Sequence, residues 1–327
     1  MERRQGIIVL SVAAILVLVS VTGVLMMGRP SSEPMDLRIT YSNKVDYEPF
    51  IVAVEKGYFR DEGVNVTPFI VAGGIESAEA MITGSADLGA MGDAPSVILM
   101  SRDPSAKLLG RYAYGEGMHR MVAWTDITSV EELVGKKVGV QFGSATHGAL
   151  LQLLEKHGLA ASEVTLVPLK PSEMPDAMRT RQVDAMMGSE PWPTNVENAC
   201  GDDVAEIADS SGLGSNYPMV LMATQKAVAE KTKALEAAVR AIERAVEFLN
   251  FNYTEAAALC AQKTGLSAAD QVRCMDSLSY DLNTTDVDLA SLNSTAQFLY
   301  DNDRIDAIPD VVAKLDRSVM AKVKEQT

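Results

Sequence analysis

Three acids and one loop of small, hydroxyl-bearing residues carry the chemistry open to this sequence. Glu48, Asp93 and Glu190 each sit where an apolar run gives way to a helical pattern. The segment Gly143-Ser144-Ala145-Thr146-His147 lets backbone come close to a bound molecule and sets two hydroxyls beside the unpaired N–H groups of a helix start. Unpaired N–H groups favour an anionic oxygen. Ser144 and Thr146 are equally the residue types that cap helices for purely structural reasons. The acids would repel a bare anion, but they suit an ammonium group on a ligand whose other end is anionic, so a zwitterion reconciles the two. Trp192 is placed either to stack on a ligand or to fill a hinge core. Trp124, inside an apolar run, reads as packing.

Catalytic chemistry finds little footing. The histidines are His119, His147 and His157, the last at a helix end before Gly158. No Gly-x-Ser-x-Gly elbow, paired metal ligands or Gly-x-Gly-x-x-Gly turn occurs, so the expectation is a binding protein without metal or cofactor rather than an enzyme.

The elements that would position these residues are written twice. Residues 80–95, AMITGSADLGAMGDAP, align without a gap to 177–192, AMRTRQVDAMMGSEPW. Ala80, Met81, Thr83 and Asp87 meet Ala177, Met178, Thr180 and Asp184, and Asp93 meets Glu190. Each copy follows an apolar strand, a loop of small and polar residues and a helix ending in Glu-Lys before a glycine. The first copy is predicted as strands over 37–41, 64–71 and 88–91 with helices between them, which implies parallel pairing with right-handed crossovers. In the second, Ser129 is predicted as the N-cap and Glu132 as its capping-box partner, followed by strands over 138–140, 164–168 and 185–188. Ligands of parallel sheets lie at the carboxyl ends of strands, which selects four loops: Ser42-Asn43 with Tyr47-Glu48, Gly73-Gly74, Gly92-Asp93-Ala94, and Gly143 to His147.

Two extended apolar runs, Arg120 to Trp124 and Tyr217 to Thr224, are read as a pair of crossovers between lobes. The expected division is residues 37–120 with 220–327 for lobe I and 121–219 for lobe II, the helical tail from Gln225 packing back on lobe I. Ahead of them, Arg3 and Arg4 precede an uncharged apolar run from Ile7 to Met27, long enough to span a bilayer. Its only small-residue cleavage candidate, Val21-Thr22-Gly23, lies inside the run, so residues 1–28 are read as a membrane anchor or signal segment, with an uncleaved anchor favoured, and 29–36 as a tether. The leading arginines orient the bulk of the chain outside the cytoplasm. A net charge of −15 argues against nucleic acid as a partner. Cys260 and Cys274, in neighbouring helical patterns, are placed either to form a disulfide in an oxidising exterior or to remain buried thiols, with Cys200 left over.

YEPFIVAVEKGYF, GSADLGAMGDAPSV, VEELVGKKVGV, GSATHGALL and VDAMMGSEPW, in this order and spacing, together resemble the extracytoplasmic solute-binding proteins of the nitrate, sulfonate and taurine importers. The resemblance covers most of residues 37–315. It implies an α/β, two-lobed type II periplasmic-binding fold with two hinge crossovers, acting as a monomer that delivers an anionic or zwitterionic small molecule to an ABC permease and its ATPase. Carried over by position, it implies that Ser42, Asn43, Glu48, Gly74, Asp93, Ser144, Thr146, His147 and Glu190 face the cleft, where Tyr47, Gly92, Ala145 and Trp192 join them. Asp93 replaces a serine common in taurine-type sequences, and Ser189 replaces a tryptophan. An aliphatic sulfonate or amino-sulfonate is the ligand expected, with the amine on Glu48 or Asp93. Nitrate, bicarbonate and a thiamine-precursor pyrimidine are its rivals, and biosynthetic enzymes on the same fold are a further alternative.

Overall fold

The computed structural model describes residues 34–324. The apolar run at 7–27 and most of the tether lie outside the described residues. Among the described residues, no helix is long and apolar enough to cross a membrane.

Two five-stranded sheets form the scaffold. The first contains β1 (Met35–Ser42), β2 (Val64–Val71), β3 (Leu88–Met91), β4 (Lys107–Ala113) and β10 (Met219–Ala223), in the order β2-β1-β3-β10-β4. The second contains β5 (His119–Trp124), β6 (Lys137–Val140), β7 (Thr165–Pro168), β8 (Ala185–Ser189) and β9 (Val204–Asp209), in the order β7-β6-β8-β5-β9. The two orders are one pattern. In each sheet the first three strands run parallel, while the fourth, β10 or β5, pairs antiparallel on both sides and comes from the far side of the inter-sheet connection.

The helices that matter below are α1 (Glu48–Glu55), α2 (Gly74–Ile82), α3 (Asp93–Arg102), α4 (Ala145–Lys156), α5 (Met174–Arg179), α6 (Trp192–Cys200), α7 (Thr232–Phe251), α8 (Tyr253–Thr264), α9 (Ala268–Met275) and α10 (Asp286–Asp301). The repeat seen in the sequence fixes equivalent turns. Asp87 N donates to Arg38 O and Asp184 N to Lys137 O, both at 2.8 Å, while a carboxylate oxygen of each aspartate accepts the main-chain N–H of Arg38 or Lys137. Thr83 and Thr180 each return a hydroxyl to a carbonyl four residues back. Gly89 in β3 lets α2 settle onto the sheet, because a Cβ there would stand 2.5 Å from Met81 Sδ.

Two predicted features are corrected. The runs at 120–124 and 217–224 were expected to cross between lobes, but β5 and β10 are each hydrogen-bonded within one sheet, and the chain passes between sheets at 114–118 and 210–218. Ser129 makes no side-chain cap; Glu132 instead accepts from Thr128 N at 2.6 Å, so the reciprocal contact closes one residue earlier, on a short 3₁₀ turn.

The tail packs on the first sheet's helices. Leu235, Val239, Ile242 and Leu249 of α7 join the core that holds Phe50 and Ile51 of α1, and Leu292, Ala296 and Leu299 of α10 join Val97 and Met100 of α3. The tail also grips the crossings. Tyr114 and Ser279 exchange main-chain hydrogen bonds of 2.9 and 2.8 Å, and Asn216 bonds Asp288 Oδ1 and Ser291 Oγ of α10 through its side chain. Gly115 N donates to Asn216 O, tying the two crossings at that end. At the other end Ser210 N donates to His119 O, and Ser210 Oγ accepts from His119 N. The three cysteines are free. Cys260 lies in the core, while Cys274 turns to α6, its Sγ 3.3 Å from Thr194 Oγ1, so the two thiols face different neighbours.

Candidate functional site

Five helices begin on the wall of one cavity. Their N-cap residues, Tyr47 for α1, Gly73 for α2, Gly92 for α3, Ser144 for α4 and Pro191 for α6, all line a space of about 770 Å³ between the two sheets' loops. Every one of these loops leaves the carboxyl end of a parallel strand, where ligands of such sheets gather. Four of the five caps provide no side-chain hydrogen bond; Ser144 alone accepts, from His147 N at 3.4 Å. The positive ends of five helix dipoles therefore face a shared volume, and α2 and α4 keep first-turn N–H groups open to it, whereas Pro49, Pro95 and Pro193 each remove one from α1, α3 and α6 and Glu190 takes that of Thr194. That volume is in the range of small-molecule sites, about 300–1,000 Å³. Gly74 keeps the mouth of α2 clear: a Cβ there would meet Pro95 Cγ at 2.7 Å.

Most of the residues singled out in the sequence line this cavity: Ser42, Asn43, Tyr47, Gly74, Gly92, Asp93, Ser144, Ala145, Thr146 and Trp192. Their hydroxyls are largely committed to the protein. Ser42 Oγ donates to Ala72 O, and Ser144 Oγ donates to Gln141 O at 2.6 Å, which leaves Thr146 Oγ1 to donate to Ser144 Oγ at 2.6 Å. The loop at 143–147 thus offers backbone N–H groups, with Thr146 Oγ1 retaining only acceptor capacity. Asp93 accepts from Thr295 Oγ1 at 2.7 Å; burial raises its carboxyl above the ordinary range, opposed by that bond.

Three expected residues are not in the wall. Glu48 is fully buried behind it, where Gln271 Nε2 of α9 donates to Oε1 at 3.0 Å; burial, then the neighbouring Asp46, pushes its carboxyl up to about 8. Glu190 is held by Arg120 at 2.5 Å and accepts from Thr194 N, and the same guanidinium also binds Glu197 and Glu206. His147 packs inward: Gly143 N donates to its Nδ1, Phe142 stacks on it at 4.7 Å and Phe298 of α10 meets it edge-on at 5.7 Å. Burial, with Arg304 nearby, keeps its ring from protonating at the usual pH.

The cavity also contains residues that no pattern in the chain singled out, among them Lys44, Asp46, His119, Lys170, Asn195 and Tyr217. Asp46 is buried, with Lys44 Nζ 3.1 Å from Oδ2 and no hydrogen bond to Oδ1. Burial pushes its carboxyl up to about 6 against the pull of Lys44. His119 is pushed down to about 3 by burial and by Lys44, so it is neutral; its Nδ1 lies 2.9 Å from Ser189 Oγ and its Nε2 has no partner. Ser189 thus bonds this ring, which Tyr217 meets edge-on at 4.5 Å. A Lys-x-Asp pair closely following a strand was the one available signal for Asp46. No cysteine lines the cavity, and among the described residues no three His, Cys, Asp or Glu side chains are grouped to hold a metal ion.

The profile of the NMT1-like family matches residues 30–264. This chain belongs to the NMT1-like family. The fold is shared with the alkanesulfonate-binding protein SsuA from Xanthomonas axonopodis pv. citri, solved with MOPS bound, at a TM-score of 0.75 and 23% identity over 88% of this chain and all of that one. It is also shared with the desulfurization enzyme DSZB, at a TM-score of 0.73 and 16% identity over 89% of this chain and 99% of that one. In sequence, this NMT1-like chain is 27% identical over 209 residues to a Brucella abortus protein named only as a binding protein, a match spanning 62% of each. It is 25% identical over 179 residues to the taurine-binding periplasmic protein of Escherichia coli, spanning 54% of this chain and 55% of that one. The matches thus span less than two thirds of these curated relatives.

Proposed function

We propose that this NMT1-like protein is the substrate-binding protein of an ABC importer, working outside the cytoplasm and tethered by its N-terminal apolar segment. It captures an aliphatic sulfonate or amino-sulfonate between its lobes for delivery to a permease. The observation that carries this reading is the convergence of five helix N-termini on one cavity. A sulfonate has three oxygens and a charge that stays negative at any physiological pH, so a set of main-chain N–H groups from several directions suits it without a neutralising arginine. The binding roles named for the taurine and alkanesulfonate relatives agree with this. Of the three acids expected to meet an amine, Asp93 is the one on the cavity wall.

The test is thermal unfolding of the purified protein against taurine, ethanesulfonate, nitrate, bicarbonate and 4-amino-5-hydroxymethyl-2-methylpyrimidine. A ligand at about a hundredfold its Kd adds about 2.7 kcal/mol to stability, which moves the melting temperature clearly. A shift with one or both sulfonates is expected. A shift with the pyrimidine or nitrate and none with a sulfonate would keep the cavity and replace its ligand.

A further inference from the structure

We infer that Asp46 is the residue that recognises the ligand's amine and selects amine-bearing ligands over analogues that lack one. The inference rests on the binding reading above and names the part of the site that the sequence missed.

Asp46 combines three properties. It lies on the cavity wall. Its backbone is in the left-handed region, with φ of 80°, at a residue that is not glycine. Aspartate enters this region more readily than most residues, at a modest cost, and such positions recur at ligand sites. Among the described residues with positive φ other than glycine, Asp46 and Tyr217 line the cavity, while Arg181 and Asp303 do not. Third, its carboxylate is buried with one oxygen on Lys44 and the other, Oδ1, on nothing. A buried acceptor without a donor is costly, and proteins rarely leave one. A donor from the ligand repairs that deficit.

The surroundings say what kind of donor fits. Lys44 is the cation near the group, and it exerts its charge on both Asp46 and His119. His119, neutral and with Nε2 unpaired, is a second incomplete polar group of the same cavity. An ammonium can give a hydrogen to a carboxylate oxygen that lacks a donor, whereas an anion gains nothing from Asp46. Glu48, the acid chosen from the sequence, has Gln271 on Oε1 and, like Asp46, no donor on its other oxygen, but it does not line the cavity. Asp93, which does, has Thr295.

Isothermal titration of the full-length protein with taurine and ethanesulfonate, which differ by the amine, decides the matter. Wild type is expected to prefer taurine by about tenfold or more, the size of one hydrogen bond to a charged group, and Asp46→Asn to bring the two within about threefold. An unchanged preference in Asp46→Asn overturns the inference. So does wild-type protein that binds both probes equally, a result that needs no variant and survives any folding defect in one. If neither sulfonate binds, the aminopyrimidine and its 4-deamino analogue make the same comparison. A preference there that Asp46→Asn removes upholds Asp46 while the sulfonate reading falls, and failure of both pairs to bind overturns the two together.

Discussion

Asp87 and Asp184 occupy the same turn in the two lobes, and so do Asp93 and Glu190, but the pairs have diverged differently. Asp87 and Asp184 do one job: each carboxylate receives a main-chain N–H from the neighbouring strand, 3.0 Å in lobe I and 2.8 Å in lobe II. Lobe I has added charge to it, with Arg38 and Lys231 at 2.6 and 2.8 Å. Asp93 and Glu190 have parted altogether. Glu190 shares Arg120 with Glu197 and Glu206 and is part of the framework, whereas Asp93 has a hydroxyl partner and a place on the cavity wall. Duplicated positions that close a turn stay put, and those at a helix mouth are free to be reassigned.

Arg120→Ala should have the largest effect. It leaves three acids together with Arg273 only on Glu197, the buried Glu190 among them without a cation, and should cost about 3–5 kcal/mol in urea unfolding. A loss under about 1 kcal/mol would mean the cluster does not hold lobe II together. Next, Asp87→Ala should cost about 3 kcal/mol and Asp184→Ala about 1, because one removes a buried partner of two cations and the other a single hydrogen bond. Equal losses would erase the distinction between the lobes. Burial works to raise the Asp87 carboxyl, but Arg38 and Lys231 override it and hold it well below the carboxylate range. Its contribution is therefore complete above the unfolded value near 4 and is lost as pH falls toward the folded one.

Glu48 carries the opposite sign. Its folded carboxyl titrates near 8, raised by burial and by Asp46, with Gln271, Tyr280 and Cys260 around it, while α4 of lobe II has no acid in its first turn. Stability is fullest below the unfolded value and declines from about pH 4.5 toward 8, by up to about 1.4 kcal/mol per unit. Glu48→Gln, which mimics the protonated form, should flatten that slope and melt higher than wild type at pH 8. A slope that survives the substitution would assign it elsewhere. The smallest change in stability belongs to Asp93→Asn, which strips no cation of its partner and should shift unfolding by no more than about 0.5 kcal/mol, while Glu190→Gln should cost about 1–2. If Asp93→Asn proves the more destabilising of the two, the division between framework and cavity acids fails.

The parts of this molecule that were legible in the sequence are those set by near neighbours. Asp87 and Asp184 show up because the turn that needs them is local and was written twice. Gly73-Gly74, Gly92 and Ser144 show up because helix starts have their own residue types. Glu48 was misread for the complementary reason: its place at a helix start is local, but the residue that claims it, Gln271, stands 223 positions away. Arg120, an unremarkable residue of an apolar run, draws in Glu190 from 70 positions off. His119 and Asp46 became visible only when folding had left each with an unmatched polar atom, which no spacing announces.

The ties at the crossings amount to the drawing of a bearing. Gly115 and Asn216 are locked to each other, and their segments to α10 and the strand-like residue Ser279, on one side; His119 and Ser210 are locked on the other. Ser210 Oγ also donates to Glu116 O, so what is left between these two clamps is 117–118 on one strand of the joint and 211–215 on the other. A rotation of one sheet against the other would be taken up there, with the C-terminal helices serving as the fixed mount. The length of that short span, rather than the cleft it serves, would then set how far the jaws could travel.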